Sequence, residues 1–280
     1  MDYTFVFLGC PDLANSIWIM LKNEVIITYM RIIHLKTIDS THLYALRLIE
    51  QSTLSVNEGV AVVADEQTNG IGRCKRRWVS EKGNLFTSII IKRPNDTTVN
   101  LGQLSLTAAC SVRETILHYI SPEISSNLKL HWPNDIYYQK KKISGVLLAI
   151  SNNLLVVSVG INIKSSPSIA RPSICLREIL QESDTELHQQ EVLSILLKNI
   201  DSWITRLYNI GFSDVRSYWL RNINDINCKV TIKNGNSVLN GFFLDIDDSG
   251  KAVLEYEGKR VQISSGDLFM NQDEIGYSCE

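Results

Sequence analysis

The sequence predicts an α+β protein in which a mixed, largely antiparallel sheet flanked by helices is followed by a small C-terminal SH3-like β-barrel. Four short apolar runs between residues 128 and 163 succeed each other closely, which implies antiparallel hairpins. Long segments with helical spacing of apolar residues, at 101–120 and 186–208, lie on either side of these runs. After residue 227 the pattern changes to short strands joined by tight turns, which is typical of a small barrel.

The larger domain begins with an alternating segment at 31–38 that predicts a strand. Ser40 and Thr41 then supply the polar cap of a first helix. β-Branched residues at 59–64 predict a strand buried on both faces, and residues 84–91 predict another. The other strands of this domain are predicted at 128–132, 136–138, 143–150 and 154–163, and its other helices at 101–120, 173–181, 186–208 and 213–221.

The C-terminal strands are predicted at 228–232, 237–246, 252–256 and 259–263. The acidic run at 245–250 opens like a calcium-binding loop, but its twelfth position is Tyr256 and its flanks are strands, so we interpret it as a hairpin turn. The predicted organisation is an N-terminal extension of doubtful role (1–30), a main domain (31–222), an SH3-like domain (223–270) and a tail (271–280).

The composition, 44% hydrophobic and 21% charged over 280 residues, is ordinary for a soluble globular protein. A net charge of -2 argues against a nucleic-acid-binding surface, which normally carries a basic excess. No apolar stretch near the N-terminus approaches the roughly 20 residues needed to cross a bilayer. The six cysteines show no Cys-x-x-Cys spacing, which argues against a zinc site and against a disulfide framework. Reduced cysteines favour a cytoplasmic protein, and we predict no metal ligands.

The N-terminal extension carries no recognisable targeting signal. Asp2 stands where a secretory signal would have Lys or Arg, so secretion is not expected. Met30 directly precedes the first predicted strand of the main domain. We therefore expect residues 1–29 to be dispensable, and a chain that begins at Met30 to fold.

A loop directly after the strand at 59–64 concentrates two glycines and four cations in residues 70–77. Backbone amides of a glycine loop can form a nest for an anion, and neighbouring Arg and Lys side chains add charge. The spacing is neither a dinucleotide fingerprint, since Lys75 stands where the third glycine should be, nor a Walker loop. The charges alone would fit a solvated basic loop. Gln67 and Trp78 beside it favour a site for a phosphate or a mixed anhydride.

Three further motifs follow this loop in the chain: Trp132-Pro133-Asn134-Asp135, Lys142-Ile143-Ser144-Gly145 and Gly160-Ile161-Asn162. Taken in this order, the four motifs resemble the biotin–protein ligases, and the likeness extends over residues 31–269. The Trp-Pro-Asn-Asp turn is the most specific of them. The resemblance implies the class II synthetase-like biotin/lipoate ligase fold. It also implies the form without an N-terminal DNA-binding domain, because residues 1–29 are too few for a winged helix.

The resemblance implies an ATP-dependent ligase that works in two steps. The carboxylate of biotin attacks the α-phosphorus of ATP and gives biotinyl-5′-AMP, and a lysine of a biotin carboxyl carrier domain then displaces AMP. Both transition states gain negative charge on oxygen, so positioning and electrostatic stabilisation should dominate. Mg²⁺ is implied by the ATP chemistry. The acceptor would belong to acetyl-CoA or propionyl-CoA carboxylase, and a homodimer through a sheet edge at 156–163 is possible.

The resemblance also assigns site residues by their positions in the motifs. Ser40, Thr41 and Gln67 would contact the biotin ring, Arg73 the phosphate, and Lys142 both the biotin carboxylate and the phosphate. Gly145 and Gly160 would let the strand backbone approach the ligand closely. The expected substrate-binding residues are Ser40, Thr41, His42, Gln67, Gly70, Ile71, Gly72, Arg73, His131, Asn134, Lys142, Gly145, Gly160 and Asn162. The expected catalytic residues are Arg73, His131 and Lys142.

The sequence departs from the family pattern at Ile71, Lys75, Ser158 and His131. The last replaces the lysine that usually precedes the Trp-Pro-Asn-Asp turn, and an unperturbed histidine with a pKa of about 6.5 is mostly neutral at cytosolic pH. Three outcomes are open: a raised pKa with a more acidic optimum, a neutral hydrogen bond with modestly lower activity, or loss of adenylation. The alternatives to a biotin ligase are a non-catalytic biotin-binding protein, which His131 suggests, and a lipoate-type acyl ligase on the same fold.

Overall fold

The computed structural model describes residues 8–9, 16–20, 29–52, 54, 59–93, 98–169, 171–180, 187–224, 226–235 and 237–270. The predicted tail and most of the N-terminal extension lie outside these residues. Within them, the predicted α+β class is confirmed, with a large mixed sheet, flanking helices and a small C-terminal antiparallel sheet. No helix in this part of the chain is both long enough and apolar enough to cross a membrane.

Within the described residues, the main sheet has nine strands in the order β1-β2-β3-β4-β5-β9-β8-β7-β6. Their bounds are Leu8–Gly9, Ser16–Met20, Tyr29–Ile38, Gly59–Gln67, Leu85–Lys92, Leu128–His131, Asp135–Tyr138, Lys141–Ser151 and Leu154–Ile161 for β1 to β9. Among the strands that the structure describes, only β3 and β4 pair in parallel, and the first helix makes the crossover between them. The other pairs are antiparallel, as predicted for the hairpins that end in β9.

The strand β9 lies in the interior of the sheet, between β5 and β8. The prediction that a sheet edge at 156–163 supports a dimer is therefore wrong. All but the first residue of this apolar run are buried, which is typical of a strand paired and covered on both sides. The first strand of the main domain is also longer than predicted, because β3 begins at Tyr29 and pairs with β2 from the N-terminal extension.

Helices cover both faces of the sheet. Their bounds are Thr41–Glu50, Leu101–Leu117, Pro122–Ser125, Leu176–Leu180, Gln189–Asn209 and Phe212–Asn222 for α1 to α6. One face of β4 buries Val60 and Val62 against α1, whereas Ala61 and Val63 join the larger core that includes α2, α5 and α6. This alternation confirms that residues 59–64 form a strand buried on both faces. Because α1 has only ten residues, it leaves part of its face of the sheet open.

The C-terminal sheet has five antiparallel strands in the order β13-β12-β11-β10-β14. Their bounds are Lys229–Asn234, Ser237–Ile246, Ala252–Tyr256, Lys259–Ile263 and Asp267–Met270 for β10 to β14. The four predicted strands are present, and β14 was not predicted. The acidic run forms the expected turn, in which Asp247 Oδ1 accepts bonds from the Ser249 and Lys251 backbone amides at 2.9 Å.

The C-terminal sheet meets the main domain at the first turn of α2. Gly102 lies so close to the C-terminal turn that a Cβ there would come within 2.8 Å of the Ser249 carbonyl oxygen. Trp132 Nε1 donates to the Gly250 carbonyl at 3.1 Å, and Gln103 Nε2 donates to the Asp248 carbonyl at 2.7 Å. The Trp-Pro-Asn-Asp segment therefore contacts the C-terminal domain directly.

Candidate functional site

A pocket of about 440 Å³ lies on the face of the main sheet that α1 leaves open. Its position follows from the side chains along one face of β9. Val156 is buried in the core beneath α1, Ser158 meets the start of α1, and Gly160 lies beyond the helix. The residues become small and polar where the helix no longer covers the sheet, so the strand forms the floor of the pocket instead of packing against a helix.

The end of the pocket near α1 is polar. Ser40 caps α1, with its hydroxyl accepting from the Leu43 backbone amide at 3.5 Å. Thr41, the first residue of the helix, donates from its backbone amide to Gln67 Oε1 at 2.8 Å. Gln67 lies at the end of β4 and donates from Nε2 to Ser80 Oγ at 2.9 Å. The capping role predicted for Ser40 is confirmed, and the start of the helix lies at the pocket wall.

The opposite end carries charge. Lys142 Nζ lies 2.7 Å from Asp135 Oδ2, and the Arg171 guanidinium is 3.6 Å from the same oxygen. Burial lowers the pKa of the Lys142 ammonium, and the Asp135 carboxylate partly offsets this effect. Burial would raise the pKa of Asp135, but the charges of Lys142 and Arg171 outweigh it and lower that pKa. Two cations and one carboxylate leave an excess of positive charge at this end of the pocket.

The glycine–arginine loop folds over the pocket. Gly70 is the first residue of the loop, and a Cβ there would be 2.5 Å from the Trp78 carbonyl oxygen, so this position requires glycine. The Gly72 amide donates to the Arg76 carbonyl at 2.7 Å. Arg73 donates to Asn134 Oδ1 at 3.1 Å and to the Gly266 carbonyl at 3.2 Å, and Arg76 bonds Asp267 at 2.7 Å. The loop is therefore held by the specific turn and by the C-terminal domain together.

The indole ring of Trp78 covers the two strand glycines. A Cβ at Gly160 would lie 2.6 Å from two ring carbons, and a Cβ at Gly145 would lie 3.0 Å from another. The sequence predicts that ligand approaches these glycines, whereas in this structure an aromatic side chain does so. The Trp78 Nε1–H is buried without a hydrogen-bond partner among the described residues. Lys142 Nζ lies 5.2 Å from the ring centroid.

The pocket brings together twelve of the predicted site residues: Ser40, Thr41, His42, Gln67, Ile71, Gly72, Arg73, Asn134, Lys142, Gly145, Gly160 and Asn162. Gly70 is not among the lining residues, and neither is His131. Its Nε2 donates to the Leu268 carbonyl at 2.9 Å, and its ring packs 4.7 Å from that of Tyr137. The position that departs most from the family pattern therefore contacts the C-terminal domain.

Several lining residues were not predicted as site residues. Arg171 is one, because a single arginine in a loop gives no sequence signal. Ser158 is another, although its departure from the family pattern was visible in the sequence. Asp135 belongs to the predicted turn, and its pairing with Lys142 depends on the β7–β8 register. Asn162, which was predicted, donates from Nδ2 to the Ile174 carbonyl at 3.1 Å and so also holds the loop that carries Arg171.

Comparisons with known proteins agree with this architecture. The profile of the Biotin/lipoate A/B protein ligase family matches residues 34–164, and that of the Biotin protein ligase C terminal domain matches residues 225–270. A biotin–[acetyl-CoA-carboxylase] ligase of Paracoccus denitrificans is 27% identical over 242 residues, which are 82% of this chain and 97% of the relative. A Mycobacterium tuberculosis ligase of the same name is 27% identical over 214 residues, 75% of this chain and 79% of the relative.

Solved structures give the same result. A biotin protein ligase from Aquifex aeolicus, in complex with biotin and ATP, superposes with a TM-score of 0.71 and 31% identity. The superposition covers 86% of this chain and 98% of that protein. The same Aquifex protein without ligand superposes with a TM-score of 0.69 and 27% identity.

Proposed function

The chain belongs to the biotin protein ligase family, and we propose that it is an ATP-dependent ligase that attaches biotin to a protein lysine. The observation that carries this proposal is a single pocket with a hydrogen-bonding end at Ser40, Thr41 and Gln67 and a cationic end at Lys142 and Arg171. An uncharged polar ring fits the first end, and a carboxylate joined to a phosphate fits the second.

In the first step, the carboxylate of biotin attacks the α-phosphorus of ATP, pyrophosphate leaves, and biotinyl-5′-AMP forms. The attack brings two anionic groups together, so a fixed positive charge is what the reaction requires. Lys142 is oriented for this role because its ammonium lies 2.7 Å from the Asp135 carboxylate, and the Arg171 guanidinium lies 3.6 Å from the same carboxylate oxygen. We assign Lys142 the stabilisation of the reacting carboxylate and phosphate.

Arg73 is the second cation that we assign to the phosphate. A guanidinium can contact two phosphate oxygens at once. Here its N–H groups are directed to Asn134 and to the Gly266 carbonyl, both neutral acceptors, so no ion pair with a described residue must be broken before it can bind a phosphate. In the second step, a lysine amine of a carrier domain attacks the acyl carbon of the adenylate, AMP leaves, and the amide forms.

Mg²⁺ is the cofactor we propose, bound through the phosphates of ATP. The described residues contain no group of three or more His, Cys, Asp or Glu that could hold a metal ion. Asp135 lines the pocket, but Lys142 and Arg171 already contact it. Because Mg²⁺ is commonly held by few carboxylates together with substrate phosphates, this pocket fits an ion that arrives with the nucleotide.

The acceptor we propose is the biotin carboxyl carrier domain of an acetyl-CoA or propionyl-CoA carboxylase, in the cytoplasm. The names of the relatives from Paracoccus and Mycobacterium support the first of these carboxylases. A homodimer remains a prediction, and it would have to use a surface other than β9. Sedimentation of the purified protein over a range of concentrations tests it.

Biotin-dependent release of pyrophosphate from ATP, followed by biotinylation of a purified carrier domain, tests the proposed function. We expect both reactions in the wild type. Lys142→Gln should lower the adenylation rate about 100- to 1,000-fold, the effect of removing one preorganised electrostatic group from a reaction centre. Lys82→Gln, at an exposed lysine 3.6 Å from Glu66, is the matched control and should leave the rate unchanged. Biotin binding without pyrophosphate release would favour the non-catalytic alternative.

A further inference from the structure

A row of hydrogen bonds runs from Gln67 to His42 at the polar end of the pocket, passing through the fully buried Ser88. It starts at Gln67 Oε1, which accepts from the Thr41 backbone amide at 2.8 Å. A backbone N–H can only donate, so the amide atom that faces it must be the oxygen. The other amide atom, Nε2, donates to Ser80 Oγ at 2.9 Å, which agrees with this orientation.

The orientation of Gln67 fixes the direction of each bond that follows. Thr41 Oγ1 lies 3.2 Å from the Gln67 oxygen, which carries no proton, so the threonine hydroxyl donates. A hydroxyl has one proton, so Ser88 Oγ, 3.0 Å from Thr41 Oγ1, must donate to it. Ser158 Oγ lies 2.8 Å from Ser88 Oγ and must donate to Ser88 for the same reason.

The row ends at His42. Its Nδ1 lies 2.8 Å from Ser158 Oγ, whose proton is already directed to Ser88. Nδ1 must therefore carry a proton and donate it to Ser158. Burial lowers the pKa of His42, which favours the neutral ring at pH 7. In a neutral imidazole with a proton on Nδ1, the other nitrogen, Nε2, is a hydrogen-bond acceptor.

We propose that Ser158 is a positioning residue that fixes the tautomer of His42 and makes the pocket floor an acceptor surface selective for ligand N–H groups. The protons of Thr41, Ser88 and Ser158 all point along the row towards Gln67, so the two hydroxyl oxygens that line the pocket, those of Thr41 and Ser158, present only lone pairs to it. The aligned positions of Ser88 and Ser158 on β5 and β9 set this row, since the two residues are direct cross-strand partners. This inference rests on the proposed function, because the ureido ring of biotin carries two N–H groups.

The tautomer is measured on the unliganded full-length protein, labelled with [¹⁵N]histidine, by long-range ¹H–¹⁵N correlation above pH 7. The spectrum of His42→Gln identifies the His42 signals. We expect the Nδ1–H tautomer in the wild type and the appearance of the Nε2–H tautomer in Ser158→Ala. Ser111→Ala is the matched control, because it removes a buried hydroxyl that donates to the Thr107 carbonyl at 3.1 Å in α2. An Nε2–H ring in the wild type, or no change in Ser158→Ala, overturns the proposal.

Selectivity is measured by calorimetric titration with biotin and with an analogue methylated on a ureido nitrogen. We expect Ser158→Ala to bind biotin about 2- to 10-fold more weakly, the effect of one misaligned hydrogen bond, and to discriminate less against the analogue. Ser111→Ala should match the wild type for both ligands. An equal loss for biotin and the analogue would contradict a role in selectivity. Absence of biotin binding in the wild type would refute the proposed function, while the tautomer would still test the hydrogen-bond row.

Discussion

Trp78 lies against Gly160 so closely that a Cβ at position 160 would come within 2.6 Å of the indole carbons Cε2 and Cζ2. The same ring lies over Gly145 on the neighbouring strand. The two glycines thus provide a flat strip of sheet that one aromatic side chain covers. A ligand that uses this strip must move the indole, so the position of Trp78 should change when the pocket is filled.

The first prediction concerns this contact. Gly160→Ala should destabilise the protein by about 1–3 kcal/mol, the usual range for an overpacked site, because the indole cannot keep its position. Urea unfolding measures the loss. Trp78→Ala removes the ring, so the double variant Gly160→Ala/Trp78→Ala should be no less stable than Trp78→Ala alone. An alanine at 160 that is equally harmful with and without the indole would show that the clash lies elsewhere.

The second prediction concerns the Lys142–Asp135 pair. Asp135→Asn leaves a buried ammonium with only a cation nearby, and we expect it to lower the free energy of unfolding by about 3–5 kcal/mol. Lys142→Met should be milder, because Arg171 remains 3.6 Å from the carboxylate. Glu66→Gln breaks an exposed pair at 3.6 Å and should change stability by less than about 1 kcal/mol. Equal losses for the two buried variants would argue against Arg171 as a second partner.

The pH dependence of the same pair gives a third prediction. The folded state holds the pKa of Asp135 below its usual value of 3.8, so its stabilisation is present above that value and is lost as pH falls through the folded pKa. The stability difference between wild type and Asp135→Asn should therefore persist at pH 5 to 8 and narrow only in stronger acid. Urea unfolding curves of both proteins, recorded from pH 8 down into stronger acid, measure this difference. A difference that already narrows near pH 6 would contradict the assigned direction.

The fourth prediction concerns His131. Because its ring donates to the Leu268 carbonyl and does not line the pocket, His131→Lys should leave the pH profile of pyrophosphate release essentially unchanged. His131→Ala removes the hydrogen bond to the C-terminal domain and should lower the free energy of unfolding by about 0.5–1.5 kcal/mol, the net contribution of one hydrogen bond. Pyrophosphate assays and urea unfolding measure the two effects. A more acidic optimum in the wild type than in His131→Lys would restore a role for this residue near the phosphate.

The fifth prediction concerns Asp201 in α5, whose Oδ1 is buried without a hydrogen-bond partner among the described residues. Burial raises the pKa of this carboxyl to about 6. A raised pKa means that stability falls as pH rises towards that value, so Asp201→Asn should be the more stable protein at pH 7 to 8. Since the group is partly exposed, we expect a gain of about 1 kcal/mol, which should fade between pH 6 and 4. Asp248→Asn, in an exposed turn, should show no such gain.

Most of the fold could be predicted from the sequence, because the spacing of apolar residues within a short segment indicates a helix or a strand. The strand at 59–64 reads as buried on both faces, and Val60 and Ala61 do enter two different cores. Contacts that depend on how two distant strands align could not be predicted from the sequence. Ser88 and Ser158 become partners only through the β5–β9 pairing, and β14 is a four-residue strand whose partner β10 lies far before it in the chain.

The site residues divide in the same way. Motifs predicted the segments that converge on the pocket, since Lys142, Asn134 and Arg73 each lie in a recognisable pattern. The direction of a side chain was not predictable from a motif. His131 shares a strand with Leu130 and Lys129, yet its partner is a carbonyl of a strand that sequence reasoning did not identify.

Four of the hydrogen bonds between the two domains, unlike the Arg76–Asp267 ion pair, have one chemical feature in common. Arg73, Gln103, His131 and Trp132 all donate to main-chain carbonyls of the C-terminal domain. A carbonyl is the same whichever amino acid carries it. Substitutions in the C-terminal domain can therefore accumulate without altering these bonds, provided that the path of its chain is preserved. In evolutionary terms, the path of the main chain in this domain should be under stronger selection than its residue identities.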